Sequence, residues 1–318
     1  MAGVLLAVGI AALAVGAIAL AARYVPSTNR AVLAVASLAC YLMLGAPVAV
    51  ILFAAQGNWV LAGAAGAVTI AVLAVQLPWY VPERTAAGTN VRVVSANLRY
   101  GRAEPGALVQ MARAHADILA VQELTPELAD AISAAGIADE FPHRVLRACE
   151  GPAGVGIWSR YPAERGAVYD EYWLGMLTAR VRTPGADVTV VTAHMSAPWP
   201  DPIAGWRADL ARLPETLRHI AATAGGPVVV AGDLNATRDH VEFRRVLRNG
   251  YRDAAEQAGA GLTRTHPDDV PMLPPVFALD HILTRDCVAT KLRTQRIAGS
   301  DHRALLADIA ITARGTTS

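Results

Sequence analysis

The sequence predicts an α/β fold: a sandwich of mixed β-sheets flanked by helices and preceded by three transmembrane helices. Two observations carry this expectation. After residue 80, short apolar β-branched runs alternate with segments whose apolar residues recur at helical spacing, without a strict strand–helix–strand rhythm. Before residue 80, three long apolar runs contain no charged residue.

The membrane part comes first in the chain. Residues 3–22 form a charge-free run long enough to cross a bilayer. A polar link from Arg23 to Arg30, with Pro26, Ser27, Thr28 and Asn29, leads to a second uncharged run at 31–55. Gln56-Gly57-Asn58 reads as a tight turn, and 59–80 is the third run. Trp59, Trp79 and Tyr80 stand where interfacial aromatics belong. The first run lacks the basic start of a signal peptide, and two more runs follow at once, so a three-helix membrane region is expected. Its Ala and Gly content suits close helix packing. No ionisable group lies inside a run, which argues against a transport path.

The domain organisation follows: residues 1–80 as membrane region, 81–90 as linker and 91–314 as a globular domain. Within that domain, strands are expected at 91–97, 118–123, 154–158, 176–182, 188–193, 228–231, 279–284 and 303–311. Helices are expected at 107–115, 126–135, 206–222 and 240–248. Thr125 caps the second of these, with Pro126 at its first position. The run Pro227 to Ala231 is wholly apolar and bounded by turn residues, so it reads as a strand buried on both faces.

Charge and cysteine narrow the function classes. Arg23 and Arg30 precede residue 81; removing them from 28 basic residues leaves 26 against 27 acids in the rest of the chain. A near-neutral domain disfavours a protein that grips a long phosphate backbone. Cys40, Cys149 and Cys287 have no metal-site spacing, and free thiols are the simpler reading.

Polar residues at strand ends point to chemistry. Asn97, Glu123, His194, the pair Asp233 and Asn235, and Asp280 with His281 all end or begin apolar strands. The loop Gly299-Ser300-Asp301-His302 precedes the last strand. The carboxyl end of a strand is where an α/β sheet places its site. Asp233 and Asn235, two apart, share a face if the strand continues. His115, His143, His219, His240 and His266 show no partner pattern and are expected to be bystanders.

The series Ser95-Ala96-Asn97-Leu98-Arg99-Tyr100, Val121-Gln122-Glu123, Thr192-Ala193-His194, Gly232-Asp233-Leu234-Asn235, Leu279-Asp280-His281-Ile282 and Gly299-Ser300-Asp301-His302 resembles the endonuclease/exonuclease/phosphatase (DNase I-like) superfamily. The resemblance implies two packed mixed sheets with helices outside and metal-dependent phosphoester hydrolysis at one end. It implies Asn97, Glu123 and Asp301 as oxygen ligands of Mg2+, with Mn2+ as substitute. It implies Asp233 orienting the attacking water, Asn235 donating to a phosphoryl oxygen, and Asp280 holding His302 as base or phosphate clamp. His194 would stabilise the transition state or assist the leaving group, with Glu150 as its candidate carboxylate partner. His281 is expected to be a neighbour only.

The plan of spans plus domain resembles the actinomycete teicoplanin-resistance membrane phosphatases. That implies a lipid-linked phosphomonoester, phosphodiester or pyrophosphate as substrate, a cell-membrane location and a domain outside the cell. The positive-inside rule, resting on Arg23 and Arg30, points to the cytoplasm instead. A membrane-tethered nuclease and a non-catalytic membrane scaffold are the alternatives. The segment from Met195 to Trp206 adds a further expectation, that Trp199 and Trp206 lie on a loop able to enter the bilayer interface.

Overall fold

A computed structural model describes residues 2–83 and 88–311. Part of the expected linker at 81–90, and the end of the expected domain at 312–314, lie outside the described residues. The chain divides into two units. The first comprises Met1–Pro78 together with Thr237–Arg244, and the second comprises Trp79–Ala236 and Arg245–Ser318.

The first unit contains α1 (Ala2–Ala22), α2 (Arg30–Ser37), α3 (Ala39–Leu42), α4 (Gly45–Ala55) and α5 (Trp59–Gln76). Two continuous helices, Ala2–Ala22 and Trp59–Tyr80, are long and apolar enough to cross a membrane. The middle run differs from the uninterrupted span expected. Arg30–Ser37 and Ala39–Ala55 meet at an angle of 62°, so a third span exists only if this bent pair counts as one. At the break, the Ser37 hydroxyl donates back to the Leu33 carbonyl at 2.8 Å, a competition with the helical ladder that favours bending. Glycines let α1 and α4 approach. A Cβ on Gly45 would lie 2.3 Å from the Ala12 carbonyl, and one on Gly16 would lie 2.7 Å from the Ala46 nitrogen.

The segment Thr237–Arg244 enters this unit with unusually polar contacts. Arg23 pairs with Asp239, and Arg238 with the Gln76 side chain. Glu242 accepts the Ser27 amide at 2.7 Å. His240 is buried; its Nδ1 accepts the Thr237 N–H at 2.9 Å, and its Nε2 faces the Ser37 hydroxyl at 3.2 Å. An accepting Nδ1 requires a neutral ring, and burial pushes His240 down to about 4.

The second unit is built on two six-stranded sheets. The strands are β1 (Thr89–Asn97), β2 (Ile118–Gln122), β3 (His143–Arg147), β4 (Val155–Ser159), β5 (Ala163–Val168), β6 (Met176–Thr183), β7 (Ala186–His194), β8 (Val228–Asp233), β9 (Arg252–Asp253), β10 (Asp280–Arg285), β11 (Val288–Arg296) and β12 (Arg303–Ile311). One sheet has the order β11-β12-β1-β2-β4-β3 and the other β5-β6-β7-β8-β10-β9. Each is mixed: β1/β2 and β7/β8 are parallel, and the other pairs are antiparallel. This is the sandwich expected from the sequence.

Alternation along the strands decides the layers. Val91, Val93, Ile118, Ala120 and Leu305 of one sheet join Leu177, Ala179, Val190, Val229 and Ile282 of the other in a single buried core. The opposite residues Val94, Leu119 and Trp158 pack instead with Leu108 and Met111 of α6 (Pro105–His115) and Leu128 and Ile132 of α7 (Pro126–Ala134). On the other sheet's side, α8 (Ile203–Ala224) buries Leu210, Leu213, Leu217 and Ile220. Trp206 is part of α8 and fully buried, not an interfacial loop residue as expected; the helix starts three residues earlier, and its apolar stripe includes the indole. The short α9 (Val241–Val246) and α10 (Ala254–Gln257) complete the helices. Strands β3, β5, β9 and β11, unforeseen in the sequence, are the edges of the two sheets and have partly exposed faces. All three cysteines are free thiols.

His240 generates a stability prediction. Its folded value lies below the ordinary 6.5, so its contribution is complete above about pH 6.5 and is lost as pH falls toward about 4. Thermal melting of the full chain in detergent should decline across that window. His240→Asn, which does not titrate, should flatten the decline.

Candidate active site

Strand register brings the polar ends together. On one sheet Asn97 closes β1 opposite Gln122, the last residue of β2, so Glu123 follows at the same level. On the other, His194 lies opposite Asp233, and Asp233 opposite Asp280. Because β10 and β12 run antiparallel to β8 and β1, their starts meet the carboxyl ends of those partners. His302 immediately precedes β12. Sheet direction, and not sequence spacing, therefore gathers six separated segments at one end of the sandwich.

The carboxylate of Asp233 is the meeting point. Its Oδ2 accepts from Asn97 Nδ2 at 3.1 Å and lies 3.6 Å from His194 Nε2 and 3.8 Å from His302 Nε2. Its Oδ1 accepts the Asn235 backbone N–H at 2.8 Å. Asn97 Nδ2 also donates to Glu123 Oε1 at 2.9 Å, while the other Glu123 oxygen accepts the Tyr100 N–H at 2.6 Å. Asn235 donates from Nδ2 to the Met195 carbonyl at 2.9 Å and stands 3.5 Å from His194 Nε2.

Backbone strain concentrates here. Arg99, Tyr100, Glu123 and Asn235 all have positive φ, at 48°, 50°, 59° and 49°. Non-glycine residues hold such values only where surrounding contacts enforce them, typically at functional sites. Gly232 is required for a different reason: a Cβ there would lie 1.9 Å from the Ala193 carbonyl. Before β12, the Ser300 hydroxyl donates to the Asn97 carbonyl at 2.8 Å and accepts the His302 N–H at 3.0 Å, which locks that turn onto β1.

The two site histidines are oriented alike. His302 Nδ1 donates to Asp280 Oδ2 at 2.7 Å, the pairing expected from the sequence. Burial works against a charge on His302, but the Asp280 and Asp233 carboxylates outweigh it and push the ring up to about 10. Burial likewise opposes the Asp280 charge, and His302 overcomes it, holding Asp280 below the usual carboxylate range. His194 Nδ1 donates to the Pro152 carbonyl at 3.1 Å. The expected Glu150 partner is thus replaced by a main-chain oxygen two residues on, because the short helical turn Gly151–Ala153 presents that carbonyl instead. In both rings the Nε2 side is left facing Asp233.

Two further residues border the Asp280–His302 pair. Asp301 lies at the rim, with its carboxylate 3.7 Å from Arg99 Nε and partly exposed. Burial first, and then the Glu123 and Asp301 carboxylates, raise the Tyr100 hydroxyl. His266, read as a bystander, has its ring centroid 4.6 Å from that of His302. Burial and then His302 lower it. No spacing signal marks it; the Thr265–Phe277 backbone pairing carries it to the site.

Glu123, Asp233 and Asp280 are buried together with histidines and amides as partners, a donor set suited to a hard cation. Among the described residues, Asp233, Asp280 and His302 also offer atoms within 4.8 Å of one another that could hold a metal ion. The 2.7 Å contact commits Asp280 and His302 to each other, which leaves the Glu123 side as the better oxygen site. The Asp280–His302 bond yields a prediction. Asp280→Ala, His302→Ala and the double variant should lose similar amounts of kcat for phosphoester hydrolysis, the reaction the sequence resemblance implies, each about 10²–10³-fold, because paired groups are non-additive. Steady-state rates of the three variants check this; losses that multiply would separate the two roles.

No curated protein sequence matches the chain significantly. Among solved structures, TDP2 from D. rerio, crystallised with a single-strand DNA product, superposes with a TM-score of 0.56 at 18% identity, over 70% of this chain and 99% of that one. An endonuclease/exonuclease/phosphatase family protein from Bacteroides thetaiotaomicron has a TM-score of 0.55 at 15% identity, over 71% and 99%. The mannosyl-6-phosphatase of the same organism has a TM-score of 0.54 at 15% identity, over 70% and 100%. These likenesses establish the sandwich. The sequence profile of the endonuclease/exonuclease/phosphatase family matches residues 94–302, a stretch that runs from β1 to the His302 turn and takes in every strand end converging on Asp233, and the chain belongs to that family.

Proposed function

We propose that the chain is a membrane-anchored, Mg2+-dependent phosphoesterase acting on a lipid-linked phosphomonoester, phosphodiester or pyrophosphate. Phosphoester hydrolysis fits the family, whose members include phosphatases and nucleases. The observation that carries the chemistry is the Asp233 carboxylate, surrounded by two inward-facing histidine Nε2 atoms, the Asn97 side-chain amide and the Asn235 backbone N–H.

Asn97 and Glu123, with Asp301 at the rim, would hold the metal. Bound there, Mg2+ supplies Lewis-acid neutralisation of phosphoryl oxygens and of the leaving oxygen. The rest of the mechanism belongs to the side chains. Asp233 accepts a hydrogen bond from the attacking water and takes its proton as the new P–O bond forms. Asn235 and the His302 imidazolium donate to non-bridging oxygens. With a ring held up near 10, His302 acts as a charged clamp at neutral pH, not as the base. In its imidazolium form His194, with Nδ1–H tied to the Pro152 carbonyl, would donate from Nε2 and give that proton to the leaving oxygen as its bond to phosphorus breaks.

The rim supports an amphipathic substrate. Trp173 and Trp199 are 81% and 64% exposed, and Met272 and Leu273 are exposed as well. Trp199 follows His194; Trp173 precedes Gly175, whose carbonyl accepts the His194 N–H. Met272 and Leu273 lie between His266 and Asp280. Apart from Tyr80 and Val81, the exposed large apolar side chains described in the second unit lie on loops that carry or adjoin site residues. Exposed apolar groups on loops that adjoin a site fit contact with lipid. The neutral charge balance disfavours nucleic acid. The apolar helices fit a multi-pass cell-membrane protein. An extracytoplasmic domain, as in the teicoplanin-resistance branch, would bring it to lipid-linked precursors outside the cell.

Two experiments test this reading. Glu123→Gln should raise the Mg2+ concentration for half-maximal activity and lower kcat/KM by about 10–100-fold, measured by metal titration. Full activity in EDTA would refute metal dependence. Trp173→Ala with Trp199→Ala should slow hydrolysis of a lipid pyrophosphate in vesicles while sparing bis-p-nitrophenyl phosphate in solution. Equal losses on both would favour a packing role, and strong cleavage of plasmid DNA by the native chain would favour the tethered nuclease.

A further inference from the structure

Two buried titratable residues next to the site take no part in the chemistry above. His281 follows Asp280 on β10 and lies opposite Gly232, so alternation turns it to the sheet face away from Asp280. Its Nδ1 is 2.7 Å from Asp253 Oδ2, and its Nε2 is 2.8 Å from the Ala236 carbonyl oxygen. Asp253 is itself fixed: its Oδ1 accepts the Ala255 N–H at 2.7 Å and caps α10. Both ring nitrogens therefore face acceptors, and an imidazole satisfies two acceptors only by donating from both.

The end that matters is Ala236. It closes the turn Asp233-Leu234-Asn235-Ala236, in which Asn235 sits at φ 49° and its N–H returns to Asp233. A turn of that shape persists only when neighbours enforce it. On the site side, Asn235 is fixed through Met195. On the opposite side, His281 grips the carbonyl one residue later.

We propose that His281 is a positioning residue: anchored by Asp253, it clamps the Ala236 carbonyl and holds the Asp233–Ala236 turn in its reactive shape. This rests on the phosphoesterase reading for what the turn does, but not for the clamp itself. Misplacement of Asp233 and Asn235 would slow the chemical step while leaving substrate capture by the rim intact.

The test compares two amide variants of the full chain in detergent with Mg2+ and bis-p-nitrophenyl phosphate. His281→Asn places a donor near the Nδ1 position and loses the Ala236 bond. His281→Gln places one near the Nε2 position and keeps it. We expect kcat to fall about 10–100-fold in the Asn variant with little change in KM, and to recover in the Gln variant. Amide hydrogen exchange gives an activity-free readout: the peptide covering Asp233–Ala236 should exchange faster in the Asn variant alone. Equal kcat losses in both variants, a loss that only tracks the unfolded fraction, or unchanged exchange at that turn would overturn the clamp. If the native chain hydrolyses no phosphoester, the phosphoesterase reading fails, and the exchange measurement still decides the clamp.

Discussion

Placing Asp233 beside Glu123 and Asp280, all buried at one end of the sandwich, is the constraint on which the rest of this unit depends. Gathered carboxylates in a region of low dielectric repel one another and lose their hydration. The fold meets this with donors aimed at them: the Asn97 amide between Asp233 and Glu123, the Asn235 N–H on Asp233, the Tyr100 N–H on Glu123 and the His302 ring on Asp280. The donors come from the ends of β1 and β8 and from the start of β12. The site therefore exists only when both sheets are formed and in register.

That requirement explains several otherwise unrelated features. Gly232 has no side chain because β7 and β8 run so close that a Cβ would meet the Ala193 carbonyl. Four non-glycine residues adopt left-handed backbone around the acids because the chain must turn sharply while aiming a side chain inward. Both site histidines have Nδ1 tied away from the centre, one by a main-chain oxygen and one by Asp280, so both present Nε2 to one carboxylate. Asp253 and His281 extend the same scheme to the far side of the sheet, where another fixed donor meets the turn that bears Asp233 and Asn235.

The apolar N-terminal part follows different physics. Its helices carry no Asp, Glu, Lys, Arg or His within their apolar runs and pack through glycine and alanine. The polar residues that it buries come at helix ends and from Thr237–Arg244, a segment distant in sequence that pairs Asp239 with Arg23 and Glu242 with Ser27. Buried pairs of this kind add little net stability but strongly disfavour any arrangement that separates them.

The inner strands of both sheets, the principal helices and the strand-end residues of the site were legible in the sequence. Apolar runs with period two, Thr125 before Pro126, and polar residues closing buried strands are local signals set by chain geometry. The edge strands β3, β5, β9 and β11 were not, because short or half-exposed strands need no continuous apolar run. The break between α2 and α4 also escaped, since composition marks a run as apolar without saying whether it bends. Residue identity determined which side chains could do chemistry; strand register and direction decided which of them meet. His266 entered the site, Trp206 entered the core, Pro152 displaced Glu150, and His281 was turned to the far face. Each of these outcomes depends on contacts between segments far apart in the chain, and the energy of such contacts is not encoded in any local stretch of sequence.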